Sequence, residues 1–444
     1  MPSPVPVTAR APHVRSAEAA PGRRPSTLLA EPLAIAAGCL VLLAYVLLWA
    51  RNSPLQTGRA DFTNAYVGAT LLRTGHAASM YSPALQDPLY LRVVAPLHTG
   101  VLPYLEAPTA AALAIPYTLL SLHIAYRLWS LTQLLLIAAA AGIAVWAAPR
   151  RALGRARLAA NALLALGGAG TLMTLVLGQW DGLWALGLAL VYMWLRQRRM
   201  GVAGFALGMT ALVAKPQLAL GLAALVLGWR DRRLLLGGIG GALTTVLLWL
   251  AIAGVGGVTG FVGAVVHSVG VWQPSVMVSF VGITGVVVAN TPAAHVLGAA
   301  GSLLLMGVGA AVGAALRGRP ARLEAGLAAA AVISLLAAPH AYPQDLAMLV
   351  PAAAWSLTAL SAATPARAGL WSAALLAWVA TTLAVLLDIA TRAEPPLGVL
   401  TPWSLIAAAA LAVAVCLRQA GVLERSGPDP ATDRGGAARA LPAG

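Results

Sequence analysis

Apolar runs long enough to cross a bilayer recur from residue 29 to residue 418, separated by short arginine clusters. With 59% hydrophobic and only 10% charged residues in 444, a soluble core could not absorb that much apolar side chain. In lipid every backbone polar group must be satisfied within the chain, so such runs become helices. The sequence therefore reads as an all-α polytopic membrane protein. Abundant Ala and Gly suit close helix–helix contact in lipid. The formal charge of +15 does not point to nucleic acid, because the arginines lie between apolar runs, where they act as orientation markers. Cys39 and Cys416 both lie inside apolar runs and form neither a disulfide framework nor a metal set.

Residues 1–27, rich in Pro, Ala and Arg, read as a disordered basic cytoplasmic segment, and 419–444 as a disordered cytoplasmic tail. The membrane domain is 28–418. The positive-inside rule puts the arginine clusters near residues 150–157, 196–199, 230–233 and 317–322 in the cytoplasm. Spans are then expected at 29–50, 158–176, 180–196, 201–214, 217–229, 234–255, 294–316, 323–338, 346–361, 369–388 and 399–418. Residues 51–104 form a first extracytoplasmic loop with short surface helices, and 256–290 a second outside segment. Residues 105–147 read as one crossing preceded by a short or re-entrant helix. The total is about twelve spans, within 11–13, in a bacterial inner (plasma) membrane.

That topology sends the polar anomalies to the outside face. Lys215 is the one lysine of the chain and lies between apolar stretches, directly before Pro216. A cation there costs a few kcal/mol unless paired, so an anionic partner is expected. The phosphate of a lipid carrier would serve, and a snorkelling lysine is the plainer alternative. Asp61 opens DFTNAYVGATLLRTG, at the start of a surface helix. It could cap that helix or take the proton of an attacking sugar hydroxyl. Tyr104 and Glu106 stand at the entrance of the next apolar helix, where Glu106 is either a second cavity carboxylate or a hydrated loop acid. Gln179, after Gly178, is either a ligand for a sugar hydroxyl or a polar hairpin tip. His340 follows Pro339 at a kinked helix end, with Gln344 and Asp345 nearby, and reads as a substrate or proton-transfer residue or as a structural histidine. No phosphate-binding loop and no dinucleotide fingerprint occurs, so an outside transfer would draw its energy from a lipid-linked donor.

Asp61-Phe62, Tyr104-Leu105-Glu106-Ala107-Pro108, Gly178-Gln179, Lys215-Pro216 and Pro339-His340, in that order, resemble the motifs of polyprenyl-phosphate-dependent glycosyltransferases of the GT-C fold. The nearest group is glycosyltransferase family 87, the bacterial α-(1→2)-mannosyltransferase-like family, over roughly residues 29–360. The resemblance implies a transferase moving a hexose, most of all mannose, from polyprenyl phosphate to a lipid or glycan acceptor outside the cytoplasm. It implies Asp61 as general base and His340 as a catalytic residue near the reaction centre. It implies Lys215 near the carrier phosphate, and Gln179, Tyr66, Tyr104, Glu106, Gln344 and Asp345 are expected beside it as substrate-binding residues. Glu106-Ala107-Pro108 and Trp180-Asp181 depart from the family pattern. No D-x-D pair occurs in the first loop, so no metal and no cofactor beyond the lipid-linked co-substrate are expected. An arabinofuranosyltransferase and a non-enzymatic translocator of lipid-linked sugar are the alternatives.

Overall fold

The computed structural model describes residues 30–97, 100–149, 153–268, 274–289, 291–362, 365–391 and 397–423. These residues are helical, with no β-strand among them. The expected disordered segments at 1–27 and 424–444 lie outside the described residues, whereas 419–423 belong to the last helix. The helices are α1 (Ala30–Ala50), α2 (Pro54–Gly58), α3 (Phe62–Arg73), α4 (Pro83–Val94), α5 (Pro108–Ala114), α6 (Leu122–Ala147), α7 (Arg155–Leu166), α8 (Ala169–Leu177) and α9 (Asp181–Arg196). They continue as α10 (Met200–Val213), α11 (Leu220–Trp229), α12 (Arg232–Ser268), α13 (Phe280–Val287), α14 (Pro292–Leu316), α15 (Leu323–Ala337), α16 (Val350–Ser361), α17 (Pro365–Thr391) and α18 (Leu397–Leu423).

Among the described residues, six helical segments are long and apolar enough to cross a membrane: Glu31–Ala50, Leu122–Ala147, Arg232–Ser268, Pro292–Leu316, Pro320–Ala337 and Thr401–Arg418. A seventh arises if α7 and α8, bent by 59° at Gly167–Gly168, count as one. Leucines on the outer faces of α1, α12 and α14, such as Leu40, Leu243 and Leu304, are exposed as lipid contact requires. The protein is thus a polytopic membrane protein. Other expected spans are short helices: α10 has 14 residues and rises about 21 Å, less than the hydrocarbon thickness of about 30 Å.

Two details differ from the sequence expectation, and residues 105–147 keep the expected order of a short helix before a long one. The 158–176 stretch is broken, because two consecutive glycines end α7 and α8 starts in a new direction. Residues 256–268 are not loop: α12 kinks at Gly254 (φ 64°) and stays helical to Ser268. Residues 105–147 comprise short α5, a 3-10 turn at Ile115–Leu119 and one long helix, α6. Helix contact relies on small residues, as at Gly204 of α10, where a Cβ would stand 2.0 Å from the Leu234 carbonyl oxygen of α12. Buried along its whole length, α15 is the central post of the bundle.

The short helices pair into hairpins α8/α9, α10/α11 and α15/α16. Their tips are 178–180, 214–219 and 338–349, and these carry the polar residues singled out above. Five arginines of the clusters lie at the opposite helix ends: Arg155 opens α7, Arg196 ends α9, Arg199 precedes α10, Arg230 follows α11 and Arg322 precedes α15, whereas Arg127 donates to the Trp49, Ala50 and Asn52 carbonyls on the tip side. Tips that stop short of a full crossing can meet at membrane depth, where the fold builds its polar site.

Candidate active site

Asp61 begins the site. It sits at the N-cap position of α3 but makes no capping hydrogen bond with its side chain. Its carboxylate instead accepts a hydrogen bond from Gln179 Nε2. An aromatic knot holds the two in register: Phe62 stacks on Trp129 at 5.6 Å, and Trp129 meets Trp180 edge-on at 4.4 Å. Trp129 Nε1 donates to the Gly178 carbonyl at 2.8 Å. Gly178 closes α8 in the left-handed region (φ 64°), and a Cβ there would stand 2.7 Å from Phe62 Cβ, so only glycine turns the chain here.

Lys215 lies at the second tip, 8% exposed. Pro216 disfavours helix at the preceding residue, and Lys215 is accordingly extended (φ −126°, ψ 81°), which ends α10 two residues earlier. Its ammonium donates to Asp181 Oδ1 at 3.0 Å and to Asp345 Oδ1 at 2.6 Å. Asp181 opens α9 and is fully buried; Asp345 is 2% exposed and also accepts from the Tyr342 backbone N–H at 2.7 Å. The anionic partner that a buried lysine requires is therefore supplied by the protein itself. The three hairpins are tied together at this one ion cluster.

The third tip brings His340 to 3.1 Å from Gln217 Nε2. Gln344 is buried, and its carbonyl accepts from Thr174 of α8. Burial holds the His340 imidazole below its ordinary pKa, with Asp345 opposing and Lys215 reinforcing that shift. Burial likewise pushes the Asp61 carboxyl up, against the Gln179 hydrogen bond and the Lys215 charge and together with Asp345. Glu106 is pushed up to about 7 by burial, against Lys215 and with a smaller push from Asp61. These mutual influences put Asp61, Glu106, Lys215, His340 and Asp345 in one electrostatic neighbourhood.

A cavity of about 1260 Å³ opens beside it, and Asp61, Tyr342 and Gln344 are among its lining residues. Leu102, Leu105, Met173, Leu177, Ala264 and Val385 form much of its wall. The continuation of α12 past Gly254 adds the part of that wall where a loop was expected. Asp87 and His267 also reach the cavity.

Of the expected substrate ligands, Tyr104 and Gln344 line this cavity, whereas Tyr66, Glu106, Gln179, Lys215 and Asp345 do not. Tyr66 is not among the cavity-lining residues; its hydroxyl donates to the Leu120 carbonyl at 2.9 Å. It lies one helical turn beyond Phe62 and joins the aromatic packing around it. Tyr104 does line the cavity, but its hydroxyl donates to Ala107 O at 2.8 Å and its ring packs over Gly68 and Tyr81. It shapes the wall and has no donor left to offer. Asp181, noted from the sequence only as part of a departure from the family pattern, proves to be a member of the ion cluster. The signal was present, since an acid opening an apolar helix needs a counter-charge.

Residues 104–339, more than half of the chain, match the sequence model of glycosyltransferase family 87. Glu106, Gln179, Asp181, Lys215 and Gln217 fall inside the match, Asp61 and Asp345 outside it, and His340 is the next residue after it. No curated protein and no solved structure matches the chain at a significant level. The chain belongs to glycosyltransferase family 87 and is a glycosyltransferase.

Proposed function

We propose that this family 87 glycosyltransferase is a GT-C enzyme that transfers a hexose, mannose above all, from polyprenyl phosphate to a lipid or glycan acceptor on the extracytoplasmic face. The observation that carries the reading is Asp61: a carboxylate freed from helix capping, held by Gln179, in the lining of a large, mostly apolar cavity. The cavity wall suits the chain of a lipid substrate, and the carboxylate suits a hydroxyl to be activated. Arginines at the helix ends opposite the tips support a site that faces away from the cytoplasm.

In this mechanism Asp61 accepts the proton of the acceptor hydroxyl as its oxygen attacks the anomeric carbon. The bond from that carbon to the phosphate oxygen breaks, its electron pair leaves with polyprenyl phosphate, and the configuration inverts. His340, held below its ordinary pKa by burial and 3.1 Å from Gln217, is assigned to hydrogen-bond the leaving phosphate. Lys215 acts at one remove. Its charge offsets Asp181 and Asp345, and so lowers the repulsion that a phosphate would meet in this acidic site. No divalent metal is assigned a role.

The test is Asp61→Asn in purified protein. Transfer should fall by about 10²–10⁴-fold while polyprenyl-phosphate binding stays. Transfer at the wild-type rate would remove Asp61 as the base, and retained passage of lipid-linked sugar without transfer would favour a translocator. Turnover of polyprenyl-phospho-arabinose in preference to the mannose donor would move the sugar to a pentose.

A further inference from the structure

Two buried side-chain oxygens of the site have no hydrogen-bond partner: Gln179 Oε1, on the amide that holds Asp61, and Glu106 Oε2, on a carboxyl that feels the Asp61 charge. Gln179 is 7% exposed, and its amide orientation is chemically fixed, because turning it would set the carbonyl oxygen against the Asp61 carboxylate. Its Oε1 therefore faces away from Asp61 and can be satisfied only by a donor. Glu106 is carried by the segment that leads into α5, held by Tyr81, whose hydroxyl donates to its backbone carbonyl at 2.7 Å. An unsatisfied buried acceptor costs about 1–3 kcal/mol, so the two are sites for a ligand that brings several donors. Phosphate brings none. A sugar brings a row of hydroxyls at adjacent carbons.

We propose that Gln179 Oε1 and Glu106 Oε2 accept hydrogen bonds from carbohydrate hydroxyls next to the one at the reaction centre, so that the enzyme reads a vicinal diol. Gln179 then has two tasks: its nitrogen orients Asp61, and its oxygen registers the neighbouring hydroxyl. A sugar lacking that hydroxyl leaves the oxygen unpaired and fails to align the reacting group. This inference rests on the reading of the site as one of sugar transfer.

The diol can belong to the acceptor or to the donor sugar, and two probes separate them. Isothermal titration calorimetry reports occupancy of the purified full chain. The protein is titrated with octyl α-D-mannopyranoside and with farnesyl phosphomannose, and with singly deoxygenated analogues of each. One probe should bind saturably, and Gln179→Met should weaken it by about tenfold. The analogue lacking the neighbouring hydroxyl should bind wild type about tenfold more weakly and lose little more in Gln179→Met. The probe that shows this coupling identifies the source. If Gln179→Met does not fold, Glu106→Leu carries the same cycle, with Glu106→Gln as the shape-conserving control.

Losses that simply add, or no saturable binding of either probe to wild type, would overturn the proposal. Its failure is separable from that of the parent reading. Wild-type transfer by Asp61→Asn sinks the general base and leaves the binding cycle standing, whereas an additive cycle sinks the diol and leaves transfer standing.

Discussion

Lys215→Met should destabilise this protein in a manner that depends on pH. The ammonium is 8% exposed and sits 3.0 Å from Asp181 and 2.6 Å from Asp345, both carboxylates buried. Methionine keeps the volume and removes the charge. The two acids are then left facing each other without a cation, and breaking a buried ion pair in that way costs about 3–5 kcal/mol. The loss is bounded because one carboxylate can take a proton and hydrogen-bond to the other. In the variant the folded protein holds that proton more tightly than the unfolded chain does. Stability is therefore fullest at acid pH, below the ordinary carboxylate value of about 4, and declines as pH rises. Thermal unfolding of purified protein in detergent, followed by tryptophan fluorescence, should show a midpoint lowered by on the order of 5–10 °C at pH 8 and by clearly less at pH 5.5. Lys215→Met combined with Asp181→Asn and Asp345→Asn should recover most of the lost stability at pH 8. An unchanged midpoint at pH 8, or a triple variant no better than the single one, would refute the ion-cluster account.

Other expectations follow from the same geometry. Transfer should decline on acidification through a value above the ordinary carboxylate range, because Asp61 must be ionised to act and burial raises it; a pH–rate profile of single turnovers checks this. Glu106, raised from 4.5 to about 7, favours the folded state most below about 4.5, and that contribution is lost as pH rises through about 7. Wild type should therefore lose stability between pH 6 and pH 8, and Glu106→Gln should flatten that part of its melting curve. Gly178→Ala must place a side chain in the left-handed region, at about 1–2 kcal/mol, and 2.7 Å from Phe62 Cβ. It should cut transfer more than it lowers the melting midpoint, since it detaches Gln179 from Asp61. Chelation should leave transfer unchanged, and activity lost on chelation and restored by Mg²⁺ or Mn²⁺ would show a metal at work.

Much of the site was legible because apolar sequence makes polar residues conspicuous. Asp61, Gln179, Lys215, His340 and Asp345 each interrupt or flank an apolar run, and each lands on a hairpin tip or on the first loop. What the sequence could not reveal was who holds whom. Lys215 and Asp345 are separated by 130 residues, so their pairing depends on how α15 packs between the other hairpins. For Tyr66 the resemblance suggested a substrate contact; in the fold it follows Phe62 into the aromatic packing, one helical turn on, and its hydroxyl donates to the Leu120 carbonyl. The extent of α12 was hidden because its glycines resemble a loop. In lipid those same glycines remain helical, since a backbone left unpaired there has no water to turn to.

The ion cluster also bears on biogenesis. Asp181 leaves the ribosome 34 residues ahead of Lys215, whereas Asp345 comes 130 residues after it. A nascent α8/α9 hairpin thus offers a carboxylate that can neutralise the lysine as α10 and α11 partition from the translocon. That early pair is electrically balanced and can wait in the bilayer. The third hairpin then converts a provisional partnership into the finished one, so the ion cluster reaches its final form only after the chain beyond α15 has been inserted.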